Sequence, residues 1–310
     1  MNNTQHQIMV KEAVKSKFKG SRTLKREIGP KYPSSPEREF QRVTNGYMKL
    51  LNTALKAHLP AMIAAYKKAV RKDARFDDYQ DFNQEANTMF QLVTLELERK
   101  IAKYGIEKLV SKIGKTTQKR SLAEWKQFCK ETLGINLLDD YYNGDFYATV
   151  LKQWVDENVL KIKSIPSETL GNMQNIIFES YKKGLSIRDL TKSIQKEYNT
   201  SKHKAAMLAR DQVSSLNARI SRMQQEDAGV SRYRWGSSID SRTRDCHRKL
   251  AGKTFSWNDP PEMWYETKKG RVYTGRRCHP GEDYCCRCVA IPVFDIDTID
   301  LPISLSEEQK

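Results

Sequence analysis

Long apolar runs are absent from this chain. No stretch of the 310 residues approaches the ~18 consecutive apolar residues of a membrane-crossing helix. Residues 1–20, MNNTQHQIMVKEAVKSKFKG, lack the apolar core of a secretory signal. The expectation is a soluble protein made in a cytosol. There is no Gly-rich phosphate loop, no G-x-S-x-G and no H-E-x-x-H, so motifs point to no enzyme class. No internal repeat and no long low-complexity tract organises the chain. Acid is the scarce charge: 38 Asp and Glu against 54 Lys and Arg leave a formal net charge of +16. Such an excess suits a polyanionic partner, nucleic acid above all, although lysine-rich helices with a solvated face give the same balance.

What is present is mostly helical period, in a chain long enough for two or more packed units. Residues 1–35 are rich in Lys and Arg without a sustained apolar period, and read as a basic flexible arm in which at most a short helix near 7–18 forms. Its Lys15, Lys17, Lys19, Arg22, Lys25 and Arg26, with Arg276 and Arg277 further on, are candidate contacts to nucleic-acid phosphates. Over 36–228 apolar residues recur three and four apart, as in Phe40, Val43, Tyr47 and in Leu170, Met173, Ile177, which predicts a helical body. Pro60 is placed to break or kink one of these helices. Ser186 and Asp189 form a capping-box-like start for another. His58 reads as a structural histidine.

After Gly229 the character changes. Residues 229–294 predict a small, irregular α+β module: a strand through Tyr233 and Trp235, a short helix capped by Asp240 and stopped at Gly252, a long irregular loop over 257–277 and a closing strand at 288–294. Residues 295–310 read as an acidic tail. The expected fold class is mostly α, an elongated helical body followed by a Cys/His-rich α+β C-terminal domain.

Five of the six cysteines, Cys246, Cys278, Cys285, Cys286 and Cys288, crowd this module, while Cys129 alone reads as a small buried hydrophobe. With His247 and His279 these five form a candidate zinc ligand set. The spacing is unusual for zinc: Cys246 and His247 are helix neighbours facing different ways, and Cys286-Arg-Cys288 is tighter than a standard knuckle. Packing and hydrogen bonding, or disulfides in a product that leaves the cytosol, are the alternatives. Asp240, Arg242, Arg244 and His247 also lie close enough in sequence to suggest phosphodiester chemistry. The rival reading for the whole chain is therefore a zinc-dependent nucleic-acid-processing enzyme using Asp240, Arg244 and His247. Helix capping and neighbouring ion pairs explain the same residues without catalysis.

The ordered string Trp235, Asp240, Arg242-Thr243-Arg244, His247, Leu250, Gly252, His279-Pro280 and Cys286-Arg287-Cys288 resembles the phage Mu F-like head morphogenesis domain. The helical segments upstream, with the Arg210-Asp211 pair, extend the likeness to about 140–294. Residues 281–284 and Cys285, between His-Pro and Cys-Arg-Cys, depart from the family's shorter spacing, and Cys246 and Cys278 are additions. The resemblance implies a non-enzymatic minor capsid protein of a tailed phage, inside the head. Its implied partners are the portal, the major capsid or scaffolding protein, and double-stranded DNA bound without sequence preference. A bound zinc remains open.

Overall fold

The computed structural model describes residues 3–71, 76–138, 140–142, 144–237 and 243–303. In chain order the elements are α1 (Asn3–Phe18), β1 (Thr23–Lys25), α2 (Ser34–Arg71), α3 (Phe76–Tyr104), α4 (Ile106–Leu133), α5 (Ala148–Lys182), α6 (Ile187–Asp227), β2 (Arg232–Gly236), α7 (Asp245–Leu250), β3 (Thr254–Ser256), β4 (Glu262–Thr267), β5 (Gly270–Arg277) and β6 (Val289–Asp295). The fold is mostly α, with the strands concentrated at the C-terminal end. No helix among the described residues is long and apolar enough to cross a membrane.

The chain divides into two compact units that do not follow the expected body-and-module boundary. One comprises Arg38–Lys112 and Val155–Ala209. Its elements among the described residues are all helices, and its core gathers the expected stripes: Leu51, Phe90, Val93, Leu97, Met173 and Ile177 all bury there. Phe82 stacks on Tyr181 at 4.4 Å, and the Tyr66 hydroxyl donates to the Leu185 carbonyl at 2.8 Å. His58 Nε2 lies 3.0 Å from Glu96 Oε2, a satisfied structural histidine.

The other unit comprises Met1–Glu37, Ile113–Trp154 and Arg210–Lys310. Its main sheet is antiparallel in the order β1-β6-β2-β3. Trp125 and Phe128 pack on Phe294 of β6, each with ring centroids 6.2 Å away. The Trp154 indole donates to the Gln212 carbonyl at 2.9 Å.

Several expectations need correction. Of the residues expected as a flexible arm, Asn3–Phe18 form α1, which contains the short helix allowed near 7–18, and Thr23–Lys25 form β1. Val10, Val14 and Phe18, four apart, bury a stripe one residue wide per turn, too narrow to stand out among the lysines. Leu24 of β1 pairs with Phe294 of β6, so the N-terminal segment completes a sheet edge. The tail expected from 295 packs as far as it is described: Ile299, Leu301 and Ile303 are buried, and Leu138 N–H donates to the Pro302 carbonyl at 2.8 Å. Of the break or kink expected at Pro60, the break is absent: α2 runs on through it, as α5 does through Pro166, because a proline removes one backbone bond and a helix of this length keeps its others. The irregular loop expected over 257–277 contains the β4–β5 hairpin, with Thr267 paired to Gly270 across a two-residue turn. Asp240 and Arg242 lie outside the described residues, and α7 begins later than expected, with Arg244 at its N-cap position.

Candidate functional site: the His247 and Cys286-Arg-Cys288 cluster

The site is assembled from α7 and the segment 278–288. On the six-residue α7, Cys246 and His247 are neighbours about 100° apart around the axis and do face different ways. Cys246 Sγ meets Met263 Sδ at 4.0 Å. His247 points to the other side, where Nδ1 is 3.6 Å from Cys286 Sγ and 3.7 Å from Cys288 Sγ. All three side chains are buried, and their donor atoms lie within 4.8 Å of one another. The Trp235 ring covers the imidazole, centroids 5.4 Å apart.

The opposite edge of the imidazole meets Asp283, with Nε2 3.2 Å from Oδ2. A carboxylate only accepts, so Nε2 carries a proton and Nδ1 is the nitrogen presented to the sulfurs. Asp283 is itself only 3% exposed, and it is met by Arg276 at 2.7 Å and Arg244 at 3.3 Å. Burial alone would raise its carboxyl, but His247, the two guanidinium groups and the Tyr284 N–H hold it well below the usual carboxylate range. Burial pulls the His247 imidazole down, yet Asp283 and Cys286 outweigh it and push it up to about 9. The neighbouring Cys288 and burial together push the Cys286 thiol well up.

The segment carrying the cysteines is pinned to α6. Asp211 Oδ1 accepts the Cys285 N–H at 2.8 Å, and Ser214 Oγ lies against the carbonyls of Gly281 and Cys286. Cys285 holds φ +51°, a left-handed conformation that a non-glycine residue adopts only under constraint. Gly281 holds φ +88° where a Cβ would stand 3.0 Å from Ala218 Cβ, so the approach to α6 requires glycine.

The remaining sequence candidates divide by role. Gly252, at φ +79°, turns the chain after α7, and its N–H donates to the Trp235 carbonyl at 2.9 Å. His279 is buried, but its Nδ1 faces the Tyr233 hydroxyl at 2.9 Å and its ring packs on Trp257, away from the thiol pair. Burial lowers its pKa. Pro280 is buried beside it, while Cys278 and Arg287 are half-buried. Cys278 packs against the apolar cluster of Tyr233, Trp235, Cys286 and Cys288. Among the described residues, which include all six cysteines, no disulfide forms.

Of the candidate phosphate contacts, Arg276 is committed to Asp283, and Arg277 pairs with Asp259. Arg22 bridges Asp295 and Asp297, both at 3.1 Å, and Arg26 reaches Glu131 at 3.7 Å. Lys15 pairs with Glu12, whereas Lys17, Lys19 and Lys25 are exposed at the end of α1 and along β1. The residue that sequence reasoning passed over is Asp283. It sits inside the departure from the family spacing, and the signal was a lone acid pair among arginines.

Residues 172–291 match the family model described as Phage Mu protein F like protein. An uncharacterized protein of Haemophilus influenzae is 32% identical over 173 residues, a match covering 56% of this chain and 36% of that protein. The chain thus spans about a third of that relative's length. No solved structure matches. The match takes in α6, the α7 helix and the Cys-Arg-Cys segment as far as β6, and this C-terminal region of the chain is a Mu F-like region.

Proposed function

We propose that this chain is a head-morphogenesis protein of a tailed bacteriophage or prophage. In this reading it is a minor capsid component inside the head near the portal. It binds the portal and the inner capsid or scaffold during procapsid assembly, and it contacts packaged DNA through phosphates without reading sequence. The carrying observation is the Mu F-like match over 172–291. Support comes from the burial of the shared motif residues: Trp235, His247, His279, Cys286 and Cys288 serve the module's interior rather than an open cleft. The +16 charge supports the DNA contact.

Cross-linking on purified particles tests the assignment. Links between this chain and the portal subunit support it; a chain recovered only free in the lysate contradicts it.

The enzyme reading draws on one observation, the Cys286–His247–Asp283 line, which has the order of a thiol–imidazole–carboxylate triad. A nucleophile must reach substrate, and Cys286 is 3% exposed. The substitution His247→Ala separates the readings. An enzyme loses turnover while keeping its melting temperature, whereas a structural histidine lowers the melting temperature and misassembles particles.

A further inference from the structure

We propose that His247 Nδ1, Cys286 Sγ and Cys288 Sγ bind one zinc ion that locks α7 to the 278–288 segment. A tetrahedral ion with bonds of about 2.3 Å to sulfur and about 2.0–2.1 Å to nitrogen sets its N···S ligand edges at about 3.5–3.6 Å. The observed edges are 3.6 and 3.7 Å. Both N···S edges therefore match a zinc tetrahedron, and all three donors lie within 4.8 Å of one another. The fourth corner is left to water or to Cys278, half-buried against the same cluster.

The surroundings fit a metal better than the alternatives. Metal-bound histidines donate their other ring nitrogen to a carboxylate, which fixes the tautomer, and Asp283 stands in that place. Arg276 and Arg244 in turn hold the carboxylate. The Cys288 N–H points to Cys286 Sγ at 3.4 Å, the contact that stabilises a thiolate. Two thiolates and a neutral imidazole cancel the charge of Zn²⁺, so the buried cluster is neutral when loaded. Loading the ion releases the protons that the two thiols otherwise carry, together with the Nδ1 proton of any imidazolium. Soft sulfur with imidazole selects zinc over magnesium or calcium. A disulfide between Cys286 and Cys288 would leave His247 Nδ1 facing two oxidised sulfurs with nothing to coordinate. Cys246 turns away to Met263 and His279 to Tyr233, so the donor set is smaller than the seven residues that spacing alone suggests.

The test uses the full chain. Elemental analysis should find one zinc per chain, and cobalt exchanged into the wild-type protein should show thiolate-to-metal charge-transfer bands with tetrahedral d–d absorption. Cys246→Ala should keep the metal. Cys286→Ser and His247→Ala should lose it, and Asp283→Asn should weaken zinc affinity about 10- to 100-fold. The cobalt spectrum does not depend on any variant folding. A wild-type chain that takes up neither metal, with a melting temperature indifferent to a strong chelator, overturns the proposal. So does zinc lost from Cys246→Ala but retained by Cys286→Ser. The Mu F-like assignment survives either failure, since it does not depend on zinc.

Discussion

Asp283 and His247, 36 residues apart in sequence, meet 3.2 Å apart with each side chain 3% exposed. The carboxylate joins α7 to the cysteine segment and receives two arginines besides, so it is the electrostatic centre of the module. Replacing it with Asn keeps the shape and removes the charge. Breaking a buried charge pair costs about 3–5 kcal/mol, and the half-exposed arginines bring the expected loss toward the lower end, about 3 kcal/mol. Chemical denaturation of Asp283→Asn should show it, and a change under 1 kcal/mol would place the carboxylate among ordinary surface pairs.

Gly281 and Gly252 give a matched comparison. Both hold left-handed backbone, at φ +88° and +79°, but only Gly281 faces a close neighbour. Alanine at 252 should cost about 1–2 kcal/mol of backbone strain alone. Alanine at 281 adds a clash with Ala218 and should cost about 1–3 kcal/mol more. Equal losses would mean that the segment does not press on α6.

The N-terminal helix gives a third prediction. Phe18 is 3% exposed, and Val10 and Val14 are fully buried. Phe18→Ala should destabilise the protein by about 3–5 kcal/mol, read as a lower denaturation midpoint. A flexible arm would tolerate the change without measurable effect.

The proposed DNA binding should fall linearly on a double-logarithmic plot against salt, with a slope of about 0.9 per phosphate contacted. Reversing Lys17, Lys19 and Lys25 to Glu together should weaken binding to all duplex sequences alike and flatten that slope. Arg276 belongs to Asp283, so its substitution reads out stability first.

Most of the helical body was legible because its stripes are wide. Phe90, Val93 and Leu97 bury where their spacing placed them. The helix boundaries were less so, since Pro60 and Pro166 are carried inside long helices. The N-terminal packing was hidden because β1 is three residues long and finds its partner, β6, only in the folded chain. At the site, the adjacent Cys246 and His247 were expected to diverge around the helix, and they do. Which thiols join His247 was not legible, because the choice depends on how 278–288 folds back onto α6 through Asp211, Ser214 and Gly281.

The proposed role, a structural part of a phage head, requires that the chain stay with the assembled particle. Quantitative mass spectrometry of gradient-purified particles, counting the chain against the portal subunit, tests it most directly. A reproducible low number of copies per portal ring is the predicted result. Its absence from particles, with the protein free in the lysate, would contradict the account.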